Sequence, residues 1–430
     1  MEPDVIVIGG GYAGLSTGAI LAYSGKKVLL LEKAAILGGR AHYIEKDGFL
    51  LEYGIHANRN ASEGAAAAVF RKIGKTLDFI ETGEPELWLN GKFVPLPSNV
   101  PKIVKSKDIS LRTKLNAVLM LVKLVVNKPE KLYGKAVDEM VSRSTPEETL
   151  MLMRVLSGIG IIAPDLKNSS AGEFGAYLKA ALKAKVKVAY PRHGTRQIIE
   201  TLKGAIEANG EVRTGVDVEH IAVKNGKVES IKADGQTLAA PVVISAIPVQ
   251  QLPDLFGGKD LPLKFVKYAQ SLIPTAGISL DFALGGKISE RNGLLVTADP
   301  VTMGQFTSNI DPSAAPAGKQ LGTWLYPLPA GWLRNDERMQ READNLKKML
   351  AEMFPGIWDA LEWERLLFMP MVDGFLPKPG QTRLDRPDFR LASIANFFLA
   401  GDTTKAEGTG GDTAFYSALA VSELVLNYLD

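Results

Sequence analysis

An α/β fold in at least two domains is what this sequence predicts, on three observations. A strand–turn–helix–strand pattern opens the chain, a second strand–turn–helix closes it, and the middle mixes apolar helices with strands. At 430 residues the chain exceeds one ordinary core, which calls for two domains or one domain with a large insertion. With 46% hydrophobic and 23% charged residues, the composition is that of a folded globular protein.

The opening unit is the most informative. Asp4–Ile8 reads as a short apolar strand, and the segment GGGYAG follows it directly. Leu15–Tyr23 has helical spacing, Ser24-Gly25 ends it, and Lys27–Leu31 is a second strand closing on Glu32 and Lys33. Gly9, Gly11 and Gly14 take the G-x-G-x-x-G spacing, with Tyr12 and Ala13 between the last two. In a βαβ unit the first glycine permits the tight turn and the second lets the backbone approach a pyrophosphate. The third lets the helix pack closely on the strand, and the helix N-terminus offers N–H donors and the positive end of its dipole. Glu32 lies 18 residues after Gly14, near the offset expected for the acid that binds ribose hydroxyls. An acid there repels a 2′-phosphate. The spacing alone is a weak signal, but strands, helix and acid together predict a dinucleotide site.

Three further segments bear on which dinucleotide. In LGGRAH, Leu37–His42, Gly38 and Gly39 form a loop able to pass close to a ligand, with Arg40 available to phosphate or a ring carbonyl. An ordinary turn with a surface arginine fits the same residues. GFLLEYGIHA reads as a hairpin-like strand ending at Gly54, followed by Ile55 and His56. At the far end, Phe397–Ala400 is an apolar strand running into Gly401-Asp402, then a glycine-rich loop and a helix predicted over Ala414–Leu429. A turn and helix N-terminus at each end of the chain predict one long ligand gripped by both.

Composition excludes several chemistries. Lys plus Arg is 50 against 48 for Asp plus Glu, so a net charge of +2 gives no general attraction to nucleic acid. The absence of cysteine removes disulfides, thiolate metal sites, iron–sulfur clusters and a redox cysteine pair. Four histidines without H-x-x-x-H spacing predict no metal site. No signal peptide is evident, so the expected location is cytoplasmic. Residues 111–126, LRTKLNAVLMLVKLVV, are interrupted by Arg112, Lys114, Asn116 and Lys123 and cannot span a bilayer. They read as a buried helix or, alternatively, as an amphipathic helix resting on a membrane surface as a peripheral contact.

The combination of GGGYAG, Glu32, GGRA and a C-terminal LAGD with its GTGG loop resembles the FAD-dependent amine oxidase and phytoene desaturase superfamily. AYPRHGTRQIIETL, Ala189–Leu202, is similar to that family's Y-P-x-G-G segment, and Gly210–Pro248 is similar to its strand ladder beside the adenine. Read locally, the latter is a run of strands punctuated by Asn225-Gly226 and Asp234-Gly235 hairpin turns. The resemblance implies a Rossmann-like FAD-binding domain from residues 1–76, 189–255 and 385–430. A discontinuous α+β substrate-binding domain would come from 77–188 and 256–384. It implies non-covalent FAD, and the lack of cysteine excludes a cysteinyl tether. It places Gly9, Gly11, Tyr12, Ala13 and Gly14 at the pyrophosphate and Glu32 with Lys33 at the adenosine ribose. Gly38, Gly39 and Arg40 fall on the pyrophosphate and flavin side, and Val218 and Ala246 beside the nucleotide. Gly54, Ile55 and His56 fall near the ring. Gly401 and Asp402 would meet the ribityl chain or pyrophosphate, and Gly411, Asp412 and Thr413 the ring edge from a helix N-terminus, which stabilises negative charge on reduced flavin.

No second G-x-G-x-x-G lies between a strand and a helix. Flavin is therefore expected to exchange electrons directly with substrate and with oxygen, a quinone or another small acceptor. Amine oxidases of the superfamily place an aromatic after the last glycine of the C-terminal loop, where this chain has Gly411. Phe415 and Tyr416 read as core residues of the following helix. The desaturase and isoprenoid branch fits better, predicting hydride transfer between a C–H bond of an apolar substrate and flavin N5. An amine oxidase, a redox-neutral isomerase and a non-enzymatic escort protein remain alternatives. His56 is the candidate acid or base, with a packing role equally open, and His193 is a weaker one. Arg59 reads as a solvated surface arginine, with contact to a polar end of the substrate as the alternative. On the substrate side, helices are expected over Glu147–Gly158 and Ala171–Lys185, and strands over Gly277–Ala283 and Leu321–Tyr326. A further helix over Asp336–Met353 is expected to have Asp336 as its N-cap.

Overall fold

The computed structural model describes residues 2–184 and 188–430. Five parallel strands form the first sheet, in the order Phe397–Leu399, Val242–Ser245, Val5–Ile8, Val28–Glu32, Gly210–Thr214. Strand side chains alternate between faces. Val5, Val7, Val28, Leu30, Val242 and Ile244 therefore join one core, and Ile6, Ile8, Leu29, Leu31 and Val243 the other. Both faces are covered, so these strands read as continuous apolar runs.

One face carries three helices, Tyr12–Tyr23, Gly194–Glu207 and Gly411–Leu429. The opposite face packs on an antiparallel sheet of Val218–Lys224, Lys227–Ala233 and Gln236–Leu238, with the expected turns at Asn225-Gly226 and Asp234-Gly235. Both residues of each turn have positive φ, as a type I′ turn requires. Phe256, Phe265, Ala269 and Leu272 pack into that same core, so the start of the 256–384 segment shares it with the parallel sheet.

A second layer is a seven-stranded sheet in the order Leu361–Met369, Ala276–Leu284, Gln320–Leu328, Met303–Phe306, Gly293–Thr297, Gly83–Leu89, Lys92–Pro95. Only the Gly293–Thr297 and Gly83–Leu89 pair is parallel. Helix Asp336–Met353 covers one face with Met339, Ala343, Leu346 and Leu350, each worth roughly 1.5–3 kcal/mol for the larger side chains. Its N-cap is Asn335, whose side chain accepts from the Arg338 N–H, and not Asp336 as expected. The Asn335 backbone is extended, as a cap needs, and Asp336 is already the first helical residue.

The remaining substrate-side layer is helical, from Leu111–Val126, Glu147–Ile161 and Ala171–Lys183 around a shared core. Of the helix expected over 171–185, Lys185 lies outside the described residues. Among the described residues, no helix is long and apolar enough to cross a membrane.

Candidate functional site

The site begins where the Val5–Ile8 strand stops. Gly9 turns the chain with φ +104°, and a Cβ there would come within 2.9 Å of Ile247. A Cβ on Gly14 would run into the Gly9 carbonyl oxygen, so only glycine lets the helix descend onto the strand end. Around Gly11 the nearest atom to such a Cβ would be the Gly38 carbonyl at 3.9 Å. No side chain caps helix Tyr12–Tyr23, which leaves its first N–H groups, including those of Tyr12 and Ala13, for a ligand.

A second backbone runs alongside. The Gly38 N–H donates to the Gly10 carbonyl at 2.8 Å, and a Cβ on Gly39 would lie 3.2 Å from the Gly11 Cα. Glu32 accepts from the N–H groups of Gly10 at 2.6 Å and Ala34 at 2.8 Å, which fixes its carboxylate at the end of the second strand. The Val216 N–H donates to the Glu32 carbonyl at 2.9 Å, bringing the Val218 strand to the same end of the sheet. Ala246 is tied to Ile8 beside Gly9. Lys33 points outward and pairs with Asp217 at the surface.

The C-terminus completes the channel from the other side. Gly401 has φ +120°, with open space where a side chain would be. Next to it the Asp402 carboxylate accepts two hydrogen bonds from Arg40 at 2.7 Å and a third from the Gly374 N–H at 2.6 Å. Burial would raise this carboxyl, but the Arg40 charge and these bonds hold it below the usual carboxylate range. The Asp402 side chain is thus committed to protein donors, and Arg40 is no solvated turn arginine.

The last helix starts at Gly411, three residues before the expected Ala414, so Gly411, Asp412 and Thr413 form its first turn. Its N-cap, Gly410, has no side chain to satisfy the first N–H groups. The Thr413 hydroxyl is buried without a partner. Gly411 lies against the Tyr12 ring, so the first turns of the two terminal helices meet. Phe415 is core, its ring tilted by 30° against that of Tyr12 at 4.7 Å between centroids, whereas Tyr416 is 38% exposed and does not join it.

The loop after strand Phe49–Glu52 closes the site. Gly54 has φ +97° and faces Met369, and Ile55 packs on the aliphatic cluster described below. His56 stands edge-on to Tyr12 at 6.3 Å, with Nε2 3.0 Å from the Tyr53 carbonyl. A carbonyl only accepts, so Nε2 carries the proton and Nδ1 is bare. Burial pushes the imidazole down to about 4, which keeps it neutral at neutral pH. His193 sits elsewhere, with its ring on the Ser313 hydroxyl.

One residue that the sequence reading misplaced and one that it passed over belong here. Arg59 donates to the carbonyls of Thr409 at 3.0 Å and Gly160 at 3.1 Å and faces Asp412 at 3.6 Å, so it is an internal clamp rather than a surface arginine. Asp373 is held by backbone bonds to Thr275, yet its carboxylate accepts no hydrogen bond among the described residues. Burial and the neighbouring Asp402 push it up to about 6, against the pull of Arg40 and Arg59. The only signal in the sequence was an acid-glycine pair inside the apolar run FMPMVDGFLP.

Packed against this loop is a buried aliphatic cluster that includes Val155, Val296, Val301, Met303, Leu325 and Met369, with Tyr53, Ile55 and Val372 at its edge. Arg365 joins its sheet to the loop, pairing with the buried Asp281 and donating to the Glu52 carbonyl.

Two glycine turns in close approach, two uncapped helix N-termini, a buried Thr413 hydroxyl without a partner among the described residues and a carboxylate at the second strand are the features of a dinucleotide-dependent protein. They fit one long nucleotide cofactor held by both chain ends. The chain belongs to the flavin containing amine oxidoreductase family, whose model matches residues 12–426. It is an FAD-dependent oxidoreductase, as the resemblance implied. Its sequence is 21% identical to the 15-cis-phytoene desaturase of Synechococcus elongatus, over 93% of this chain and 90% of that one. It is 45% identical to human all-trans-retinol 13,14-reductase over 62 residues, which is 14% of this chain and only 10% of that enzyme. An oxidoreductase structure from Methanosarcina mazei superposes with a TM-score of 0.82 over 97% of this chain and 99% of that one, at 21% identity, which shows the common fold.

Proposed function

We propose that the enzyme acts on a carbon–carbon bond of an apolar, isoprenoid-type substrate, desaturating it with oxygen, a quinone or another small molecule as electron acceptor, or saturating it with a small-molecule reductant as electron donor. The observation that carries this is the cluster packed against the Gly54–His56 loop, built from Val, Leu and Met without a titratable group. A pocket walled by such side chains would gain by covering an alkyl chain and would offer an ammonium group nothing. Gly411 agrees with it, since no aromatic stands at that position to cage an amine. The full-length similarity to a phytoene desaturase points the same way.

The glycines at 9, 11, 38 and 39 would take the pyrophosphate with the amides of Tyr12 and Ala13. Glu32 would take the adenosine ribose and the amide of Asp402 the ribityl side. Gly411, Asp412 and Thr413 would face the ring. Bound there, FAD supplies a hydride acceptor or donor at N5. The chain supplies orientation, a dry pocket and two proton-holding groups, the bare Nδ1 of His56 and the carboxyl of Asp373. With its imidazole near 4, His56 is a weak base and serves as a positioning acceptor, which leaves the proton to Asp373. On this reading the protein works at a membrane surface through residues 111–126, where an apolar substrate concentrates.

The test is anaerobic mixing of the FAD-loaded enzyme with isoprenoid alkenes and, separately, with primary amines. Loss of the oxidised flavin absorbance with the alkenes alone is expected of a desaturase, and return of that absorbance in enzyme reduced beforehand with dithionite is expected of a saturase. Loss with the amines alone overturns the reading in favour of amine oxidation.

A further inference from the structure

Helix Leu111–Val126 is amphipathic in an unusual sense, because both of its faces are apolar. Thr113, Ala117, Met120, Leu121 and Leu124 are buried against helices Glu147–Ile161 and Ala171–Lys183. On the opposite side Leu111, Leu115, Leu119, Val122 and Val126 are 72%, 65%, 53%, 44% and 75% exposed. At 3.6 residues per turn these five fall within an arc of about 80°. Val104, on the adjoining helix Val100–Lys105, adds a sixth exposed apolar side chain. Single exposed leucines need no explanation, whereas a continuous stripe over four turns marks an interaction surface.

The borders of the stripe are basic. Helical geometry puts Arg112 and Lys123 along one edge and Lys114 along the other, and the helix contains no acid. Of the cations around it, Lys105, Lys107, Lys114, Lys123 and Lys128 meet no carboxylate among the described residues. Nearby, Lys92 pairs with Asp108 and Lys102 with Glu84.

An apolar stripe edged by unpaired cations matches a bilayer surface, where acyl chains lie beneath a layer of phosphate and carboxylate charge. We infer that Leu111–Val126 lies in the plane of an anionic lipid surface, its five exposed side chains in the acyl boundary and Arg112, Lys114 and Lys123 at the headgroups. The helix docks on the bilayer without spanning it, consistent with its length and charge. The partner is lipid rather than a second copy of this chain, because facing two such stripes would bring their unpaired lysines together. This inference deepens the reading of an apolar substrate by naming the surface on which the site would meet it, but it stands on exposure and charge alone.

Co-sedimentation of the FAD-loaded full chain with vesicles tests it without turnover, so its failure and that of the substrate reading are separable. Wild type is expected to pellet with vesicles of three parts phosphatidylcholine to one part phosphatidylserine, and at least tenfold more weakly with pure phosphatidylcholine. Leu115→Glu with Leu119→Glu should abolish pelleting while melting temperature and flavin content stay at the wild-type level. Lys114→Glu with Lys123→Glu should remove the preference for phosphatidylserine. Equal pelleting by wild type and the double leucine variant overturns the inference. So does a wild type that remains in the supernatant with both vesicles, or a dimer in sedimentation velocity that the leucine variant converts to monomer while vesicles bind neither.

Discussion

The nucleotide half and the substrate half of this protein reach order by different routes. Around the channel, polar groups are tied across long stretches of chain: Arg40 to Asp402, Arg59 to Thr409, Gly38 to Gly10. Facing it, the side chains from Val155 to Met369 meet one another through apolar packing, most of them on strands held by the sheet's own backbone hydrogen bonds. Directional contacts suit the nucleotide part of a cofactor, whose phosphate charges stay the same from turnover to turnover. An apolar wall tolerates a ligand with few polar handles, because burial is nearly non-directional. Specificity for charge thus sits on one side of the site and tolerance of shape on the other.

The comparison breaks most visibly at its buried ion pairs. Removing one partner of such a pair leaves a charge without compensation, at about 3–5 kcal/mol. Arg40→Met and Arg365→Met should both lose that much in denaturant unfolding, since Asp402 and Asp281 are 7% and 0% exposed. They should differ in flavin, with Arg40→Met purifying largely colourless and Arg365→Met retaining colour. Equal flavin content in the two variants would erase the distinction between the halves.

A smaller effect sharpens the junction. Glu52 is buried, accepts from the Thr195 N–H at 2.5 Å and is hydrogen-bonded by Tyr190. Burial outweighs these bonds and pushes its carboxyl from 4.5 up to about 7. Between those values the folded chain holds a proton that the unfolded chain has released, so stability falls as pH rises. The penalty is absent below pH 4.5 and complete above 7, on the order of 3 kcal/mol. Glu52→Gln keeps an acceptor for Thr195 and should flatten the decline in melting temperature between pH 5 and about 7. An unchanged slope in that variant would assign the decline to other groups.

The smallest expected effect lies far from the site. Asn335→Ala should cost about 1 kcal/mol as the loss of a helix cap, and Asp336→Ala a few tenths as the loss of a charge near the helix dipole. Denaturant midpoints of the two variants rank them, and the reverse order would restore Asp336 as the cap.

Much of the fold was legible because local rules and tertiary packing agree. The parallel strands are apolar on both faces, the hairpins carry Asn-Gly and Asp-Gly, and helix Asp336–Met353 has a clear periodicity. Where the two disagree, the sequence misled. The first turn of helix Gly411–Leu429 contains two poor helix formers, Gly411 and Asp412, and folds because Tyr12 and Arg59 pack against it. Arg59 resembled any solvated arginine until the loop at Thr409 and the helix ending at Ile161 met beside it. Asp373 carried no spacing that could single it out.

By itself, the sequence determined the glycine turn after the first strand, the acid that follows it and the dinucleotide they imply, because these depend on steric rules acting within some thirty residues. The tertiary structure alone decided which charges pair, which carboxyl is left without a donor and which face of Leu111–Val126 stays uncovered. Those outcomes depend on contacts between segments hundreds of residues apart, and no local pattern encodes the distance between them.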